Sequence, residues 1–181
     1  MDVDRCIQTR RSVRKYLSKK ISWDKLKEIL DSARYAPSAG NLQNWRFIVV
    51  QDSDLKKRIS QLCSDQTWIN GVPVLIVVCS YDKDLKIMYR EKSETFSIQN
   101  TAAAIENMLL KANSLSIDSC WVGSYNEDRI KSILKIPNEV RMDAIITFGY
   151  GAEKEEMPKR IDLRNIVFYE EWGDSGKPKS Y

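Results

Sequence analysis

The sequence predicts an α+β fold in which helices cover a central sheet. Three observations lead there: apolar residues recur at helical spacing in several stretches, four short β-branched runs lie between them, and the two patterns mix without the strict alternation of a doubly wound sheet. A chain of 181 residues with 43% apolar content buries roughly 70% of its unfolded surface in a single core. One domain over residues 1–181 is therefore expected.

The elements follow in order. Ser22 caps a helix in which Trp23, Leu26, Ile29, Leu30 and Ala33 recur at spacings of three and four, and Pro37 stops it. Residues 46–51 form a short strand, and Asp52 or Ser53 starts a charged helix through about residue 62. Residues 74–80 read as a buried strand. From about 95 to 113, Ile98, Ala102, Ile105, Leu109 and Ala112 share one face, widened by Ala103 and Met108; this is the longest helix and the expected spine of the core. A strand at 119–122, a helix at 127–134 and a final strand at 144–150 complete the pattern. Beyond it, a polar linker (153–160) leads to a tail with Phe168, Tyr169 and Trp172, which should dock on its own core or on a second copy of the chain.

Composition removes whole classes of chemistry. The chain has no histidine, which excludes the Ser-His-acid triad, the Cys-His pair and His-based metal sites. Cys6, Cys63, Cys79 and Cys120 make no CxxC pair, so reduced, isolated thiols are expected and no metal site. The longest apolar run, 72–79, falls far short of the roughly 20 residues that cross a bilayer. The charged N-terminus lacks a secretory h-region, which points to the cytoplasm.

Charge is uneven. Residues 1–60 hold 14 Lys and Arg against 7 Asp and Glu, whereas the remainder is net negative. The centre of this basic head, residues 10–20, carries six cations and no acid. Such a run is either a solvated surface, a site for a phosphate-bearing small ligand, or a nucleic-acid contact. Only Tyr16 interleaves an aromatic ring with the cations, which argues against nucleic acid.

Two loops carry further signals. Ala36-Pro37-Ser38-Ala39-Gly40-Asn41-Leu42-Gln43-Asn44-Trp45 joins the first amphipathic helix to the first strand; its small residues tolerate positive φ and expose backbone donors. Trp121-Val122-Gly123-Ser124 ends a strand with a residue lacking Cβ, where ligands meet sheets. Each is also simply a turn.

Taken in order, Arg10-Arg11-Ser12-Val13-Arg14, the 36–45 loop, Cys120-Trp121-Val122-Gly123-Ser124 and Lys159-Arg160 resemble the flavin-dependent nitroreductase superfamily over nearly the whole chain. Thr101-Ala-Ala-Ala-Ile-Glu-Asn-Met-Leu-Leu is similar to the family's central helix. The resemblance implies a three-layer α-β-α fold with a mixed, mainly antiparallel central sheet. It implies FMN as cofactor, with NADH or NADPH as a transient electron donor and hydride passed through flavin N5 to an electron-poor acceptor by a ping-pong mechanism. No side chain would be catalytic, since the chemistry is the cofactor's.

By the same resemblance Arg10, Arg11 and Ser12 would hold the FMN phosphate, with Arg160 and Lys159 closing on it. Arg14 would lie toward the ribityl chain and pyrimidine edge. Pro37 and Ser38, with Ala39 and Gly40, would face the flavin of a partner subunit, Val122, Gly123 and Ser124 would lie beside N5, and Gln66 would touch the ring's polar edge. A homodimer with FMN at its interface follows, with residues 161–181 packing on the partner. Asn44 stands where the family commonly has proline, and Asn100 where an acid is frequent, which leaves pocket shape and helix docking open. Residues 81–94, with Met88, Tyr89 and Phe96, either line the acceptor site or form a surface helix. A flavin carrier or sensor without turnover is the alternative reading.

Overall fold

The computed structural model describes residues 2–64 and 66–176. Its helices are α1 (Val3–Thr9), α2 (Trp23–Ala33), α3 (Ser53–Ser60), α4 (Lys83–Tyr89), α5 (Ser93–Ser114) and α6 (Glu127–Leu134). The strands are β1 (Trp45–Val50), β2 (Val74–Tyr81), β3 (Asp118–Val122) and β4 (Val140–Gly149), in the spatial order β1-β2-β4-β3. All four pair antiparallel. The parallel component is a single bridge between Ser12 and Ser119.

Helix starts are set by side-chain caps. Asp2, Ser22, Asp52 and Asn126 each accept a hydrogen bond from the backbone N–H three residues on, satisfying a donor that the helix leaves orphaned. α1 does not stand in the sequence reading as a helix, whereas α4 is the surface helix that residues 81–94 left open. Both are short, and α4 buries only Leu85 while leaving Ile87 and Met88 exposed.

The alternation of β2 divides the core in two. Val74, Ile76 and Val78 join Ala144, Ile146 and Phe148 beneath α2 and α5. Leu75, Val77 and Cys79 face the other way, with Ile145, Met142 and Val122, and meet Ile59 of α3 and Ile130 of α6. Helices therefore cover both faces, giving three layers. Register shifts by one between Val78, which pairs with Ala144, and Cys79, which pairs with Met142; Asp143 is the extra residue of a β-bulge.

α5 departs from a one-sided reading. Ile98 is exposed, while Ser97, Asn100, Thr101, Ala104, Ile105 and Met108 are buried. The buried stripe is partly polar because the start of this helix meets a hydrogen-bonded network instead of apolar side chains. The 152–166 stretch is exposed throughout. Phe168 and Trp172 pack against each other, inclined by 50° with centroids 4.9 Å apart, and Trp172 stays 92% exposed. Residues 177–181 of the expected extension lie outside the described residues. No helix among the described residues is long and apolar enough to cross a membrane.

Candidate functional site

After α1 ends, the chain turns extended at Arg10 and runs beside β3, where the Val13 N–H donates to Ser119 O at 3.0 Å. Val13 is buried and anchors this segment. Its neighbours line a cleft of about 390 Å³: Arg10, Arg11, Ser12 and Arg14, joined from the far end of the chain by Arg160, with Glu155, Glu156 and Pro158. Sequence-distant cations are thus brought to one place. Lys159 is exposed and does not line this cleft.

The guanidinium groups are held but not all spent. Arg11 donates through Nη1 to Gln8 O and Arg10 O, each at 2.7 Å. Its Nε is buried with no hydrogen-bond partner among the described residues. Arg10 Nε lies 3.7 Å from Glu106 Oε1 of α5, and Arg14 Nη1 donates to Ser12 O at 3.3 Å. Cys120 sits just behind. Burial pushes its thiol up, partly opposed by Arg14, a hydrogen bond with Ser12, and Arg10. Four arginines against two glutamates leave the cleft with a formal surplus of two positive charges, and that matches a phosphate monoester dianion.

At the other end of β3, Val122 is buried and Gly123 opens onto free space, since a Cβ there would meet nothing within 4 Å. Ser124 Oγ lies 2.7 Å from Ser64 Oγ, and Gln66 Nε2 is 3.4 Å from Ser124 O. Gln66 and the 122–124 segment therefore form one polar rim. Nearby, the Tyr16 hydroxyl bonds Thr147 Oγ1 at 2.9 Å; burial raises its pKa well above the ordinary value.

Pro37, Ser38, Ala39 and Gly40 lie elsewhere. Their loop feeds β1 at one sheet edge, whereas the arginine segment flanks β3 at the other. Three strand spacings, about 14 Å, separate those edges. The loop is sharply folded: Gly40 (φ 58), Asn41 (φ 55) and Gln43 (φ 46) are left-handed. A Cβ on Gly40 would lie 2.9 Å from both Met88 Sδ and Tyr89 Oη. Tyr89 in turn packs edge-on against Phe96, centroids 4.8 Å apart. Residues 83–89 are thus a helix whose end roofs the loop.

The network beneath this loop is absent from the sequence reading. The Ala39 N–H donates to Asn100 Oδ1 (2.9 Å), Asn100 Nδ2 to Asn44 Oδ1 (2.8 Å), and Asn44 Nδ2 to Asp82 Oδ1 (2.9 Å) and Ser97 Oγ (2.7 Å). Arg141 continues it, donating to Ser97 Oγ at 3.0 Å and to Asp143 Oδ1 at 2.7 Å. Burial raises the Asp143 carboxyl, with Arg141 opposing. A usable signal was present: Ser97, Asn100 and Thr101 recur at helical spacing on the same stripe as Ala104, Ile105 and Met108. Glu155 and Glu156 carry no such signal, since a polar linker reads as solvated.

The family model described as the nitroreductase family matches residues 7–73 and 62–150. A protein of Archaeoglobus fulgidus, named as an NADH dehydrogenase/NAD(P)H nitroreductase, is 35% identical over 172 residues, covering 92% of this chain and 96% of that protein. A Bacillus subtilis protein named FMN reductase (NAD(P)H) is 24% identical, covering 88% of this chain and 70% of its own. Among solved structures, a nitroreductase family protein from Clostridium novyi superposes with a TM-score of 0.78 at 27% identity, over 96% of each chain. The NADPH:FMN oxidoreductase of Vibrio harveyi shares the fold with a TM-score of 0.87 at 17% identity, over 95% of this chain and 78% of that one. With its α+β layers, its N-terminal arginine cleft and a family match spanning nearly all of residues 7–150, the chain belongs to the nitroreductase family.

Proposed function

We propose that this chain is an FMN-dependent oxidoreductase that passes hydride from NADH or NADPH to a small electron-poor acceptor, such as a nitroaromatic or a quinone, in two half-reactions. The observation that carries the reading is the cleft where Arg10, Arg11, Ser12, Arg14 and Arg160 converge, lined by an Arg11 whose Nε is buried and unpartnered among the described residues. A buried donor without an acceptor costs on the order of 1–3 kcal/mol, and a phosphate oxygen would supply the missing partner. The names of the relatives, NAD(P)H nitroreductase and FMN reductase, support the same assignment.

Bound FMN supplies the hydride chemistry at its N5. The protein's own residues bind and orient. Arg10, Arg11, Ser12 and Arg160 hold the phosphate, with Lys159 adding charge from the surface. Arg14 places a fixed cation near the pyrimidine edge, where it favours an electron-rich flavin. Val122, Gly123, Ser124 and Gln66 border the reactive face, Gly123 leaving room for it.

The loop Pro37–Gly40 serves the flavin of a second protomer, as the resemblance to the family implies. Trp23, Tyr35, Ile87, Met88 and Ile98 remain exposed and supply apolar surface for that dimer. Residues 1–181 make one FMN-binding domain, with 161–181 an extension that packs on the partner. Four buried, free cysteines suit the cytoplasm.

Purified protein should show the visible absorption of oxidised flavin, bleach anaerobically with NADH or NADPH, and recover colour on adding a nitroaromatic or quinone. Stripped protein should melt at a higher temperature with FMN present, since 100-fold saturation contributes about 2.7 kcal/mol. Failure of both assays overturns the reading. Bound flavin that neither nicotinamide bleaches would make the chain a flavin carrier instead.

A further inference from the structure

A second cavity, of about 360 Å³, opens where β1 ends and β2 begins. It shares no residue with the arginine cleft. Its side-chain polar groups are those of Ser18, Lys20, Gln51 and Lys56, and its apolar wall includes Ile21, Val72 and Val74. Each of those four side chains can donate a hydrogen bond, and no carboxylate lines the space. The arginine cleft, by contrast, contains two glutamates, and the cleft beside Arg141 contains Asp82, Glu94 and Glu127 among others.

Lys56 is the unusual member. It is only 9% exposed, and its Nζ donates to Val72 O at 2.7 Å and Pro73 O at 3.3 Å. Those bonds use two of its three N–H groups and bring no negative charge. Asp52, the one acid that raises its proton affinity, is outweighed by burial, and Asp52 Oδ1 already caps α3 through the Leu55 N–H. A desolvated ammonium whose one carboxylate neighbour, Asp52, does not offset its burial is costly, and an anion in the adjoining space would relieve that cost.

We propose that this cavity binds a small organic carboxylate with an apolar body, the carboxylate between the Lys56 and Lys20 ammonium groups and the body against Ile21, Val72 and Val74. Two compact ammonium charges with a hydroxyl and a carboxamide suit an oxyanion, and the volume lies within the range of small-molecule sites. The apolar wall is what separates this ligand from a bare inorganic anion. The inference does not depend on the flavin reading.

The test uses the full chain as purified, labelled with ¹⁵N and titrated with benzoate and, separately, with sulfate while amide shifts are followed. Benzoate should give saturable shifts at Gln51, Gly71 and Val72, with sulfate at least 10-fold weaker. Lys20→Met and Gln51→Glu should each weaken benzoate by about 10-fold or more; neither touches the Lys56 bonds, so they decide the matter even if Lys56→Met does not fold. Equal response to sulfate, no saturation, or benzoate shifts centred on Arg10–Arg14 would each overturn the proposal.

Discussion

Asn44 and Asn100 lie 56 positions apart and are hydrogen-bonded to each other, Asn100 Nδ2 donating to Asn44 Oδ1 at 2.8 Å. These are the two positions where the sequence departs from the pattern it resembles. The departures are partners. Together they fasten the 36–45 loop to the start of α5, with the Ala39 N–H on one side and Asp82 on the other. Replacing Asn100 by alanine strips Ala39 N–H and Asn44 Oδ1 of their acceptor and donor, which should cost about 2–4 kcal/mol. The expected result is a lowered urea midpoint at unchanged slope; an unaltered midpoint would show that the loop does not rely on this pair.

Arg11→Ala should weaken FMN binding roughly 10- to 100-fold, the worth of one or two charge-assisted bonds, in a flavin fluorescence titration. Arg11→Lys keeps the charge but loses Nε, so it should recover only part of the loss. Glu155→Gln with Glu156→Gln removes two negative charges from the same cleft and should tighten binding. Looser binding in that double variant would contradict the charge balance assigned to the cleft.

Arg14 tests electrostatics separately from affinity. Arg14→Ala removes a fixed cation from the site and should lower the flavin's reduction potential. An unchanged potential in a redox titration refutes that role.

Gly40→Ala should destabilise the protein by about 1–2 kcal/mol, because φ is +58 and the new Cβ would crowd Met88 Sδ and Tyr89 Oη. Adding Met88→Ala should recover only the share due to Met88, and Met88→Ala with Tyr89→Phe the steric part as a whole, leaving the backbone part. Calorimetric melting of these variants separates the contributions.

Alkaline stability follows from the thiols. Burial pushes Cys63 to about 11 and Cys79 to about 12, against 9.0 for an exposed thiol. The folded state keeps protons that the unfolded state releases, so this stabilisation is complete below pH 9 and is lost as pH rises toward 11–12. Tyr16 and Tyr125 act in the same direction. The denaturation midpoint should therefore fall between pH 9 and 11. Native thiols should resist alkylation at pH 8 and all react once the chain is unfolded.

How legible this was depended on how local each signal is. The helix at 127–134 and the strand from 74 emerge directly, because a capping Asn126 and an unbroken apolar run are written in adjacent residues. β4 begins at Val140, four residues earlier than expected, because a bulge at Asp143 separates residues 140–142 from the apolar run that follows and their pairing with β2 is non-local. Ile98 was expected inside by helical periodicity, yet Asn100 and Ser97 take the buried stripe, their cost met by partners from residues 39, 44 and 82. Among the residues assigned to the flavin, the convergence of Arg10–Arg14 with Arg160 could be named only through resemblance, since charge alone left a solvated surface open. Glu155 and Glu156 escaped because nothing local distinguishes a carboxylate facing a cleft from one facing water.

Asp143 pairs with no residue of β2, since the ladder passes from Ala144 straight to Met142. A chain shortened by this one residue would close a regular ladder and leave Met142, Ala144 and Ile145 on the sides they now occupy. The pairing register thus has no need of residue 143. What that position adds is the local bend of the bulge and the grip its carboxylate exerts on Arg141, so a deletion ought to disturb the loop at residue 39 at least as much as an Asp143→Asn exchange.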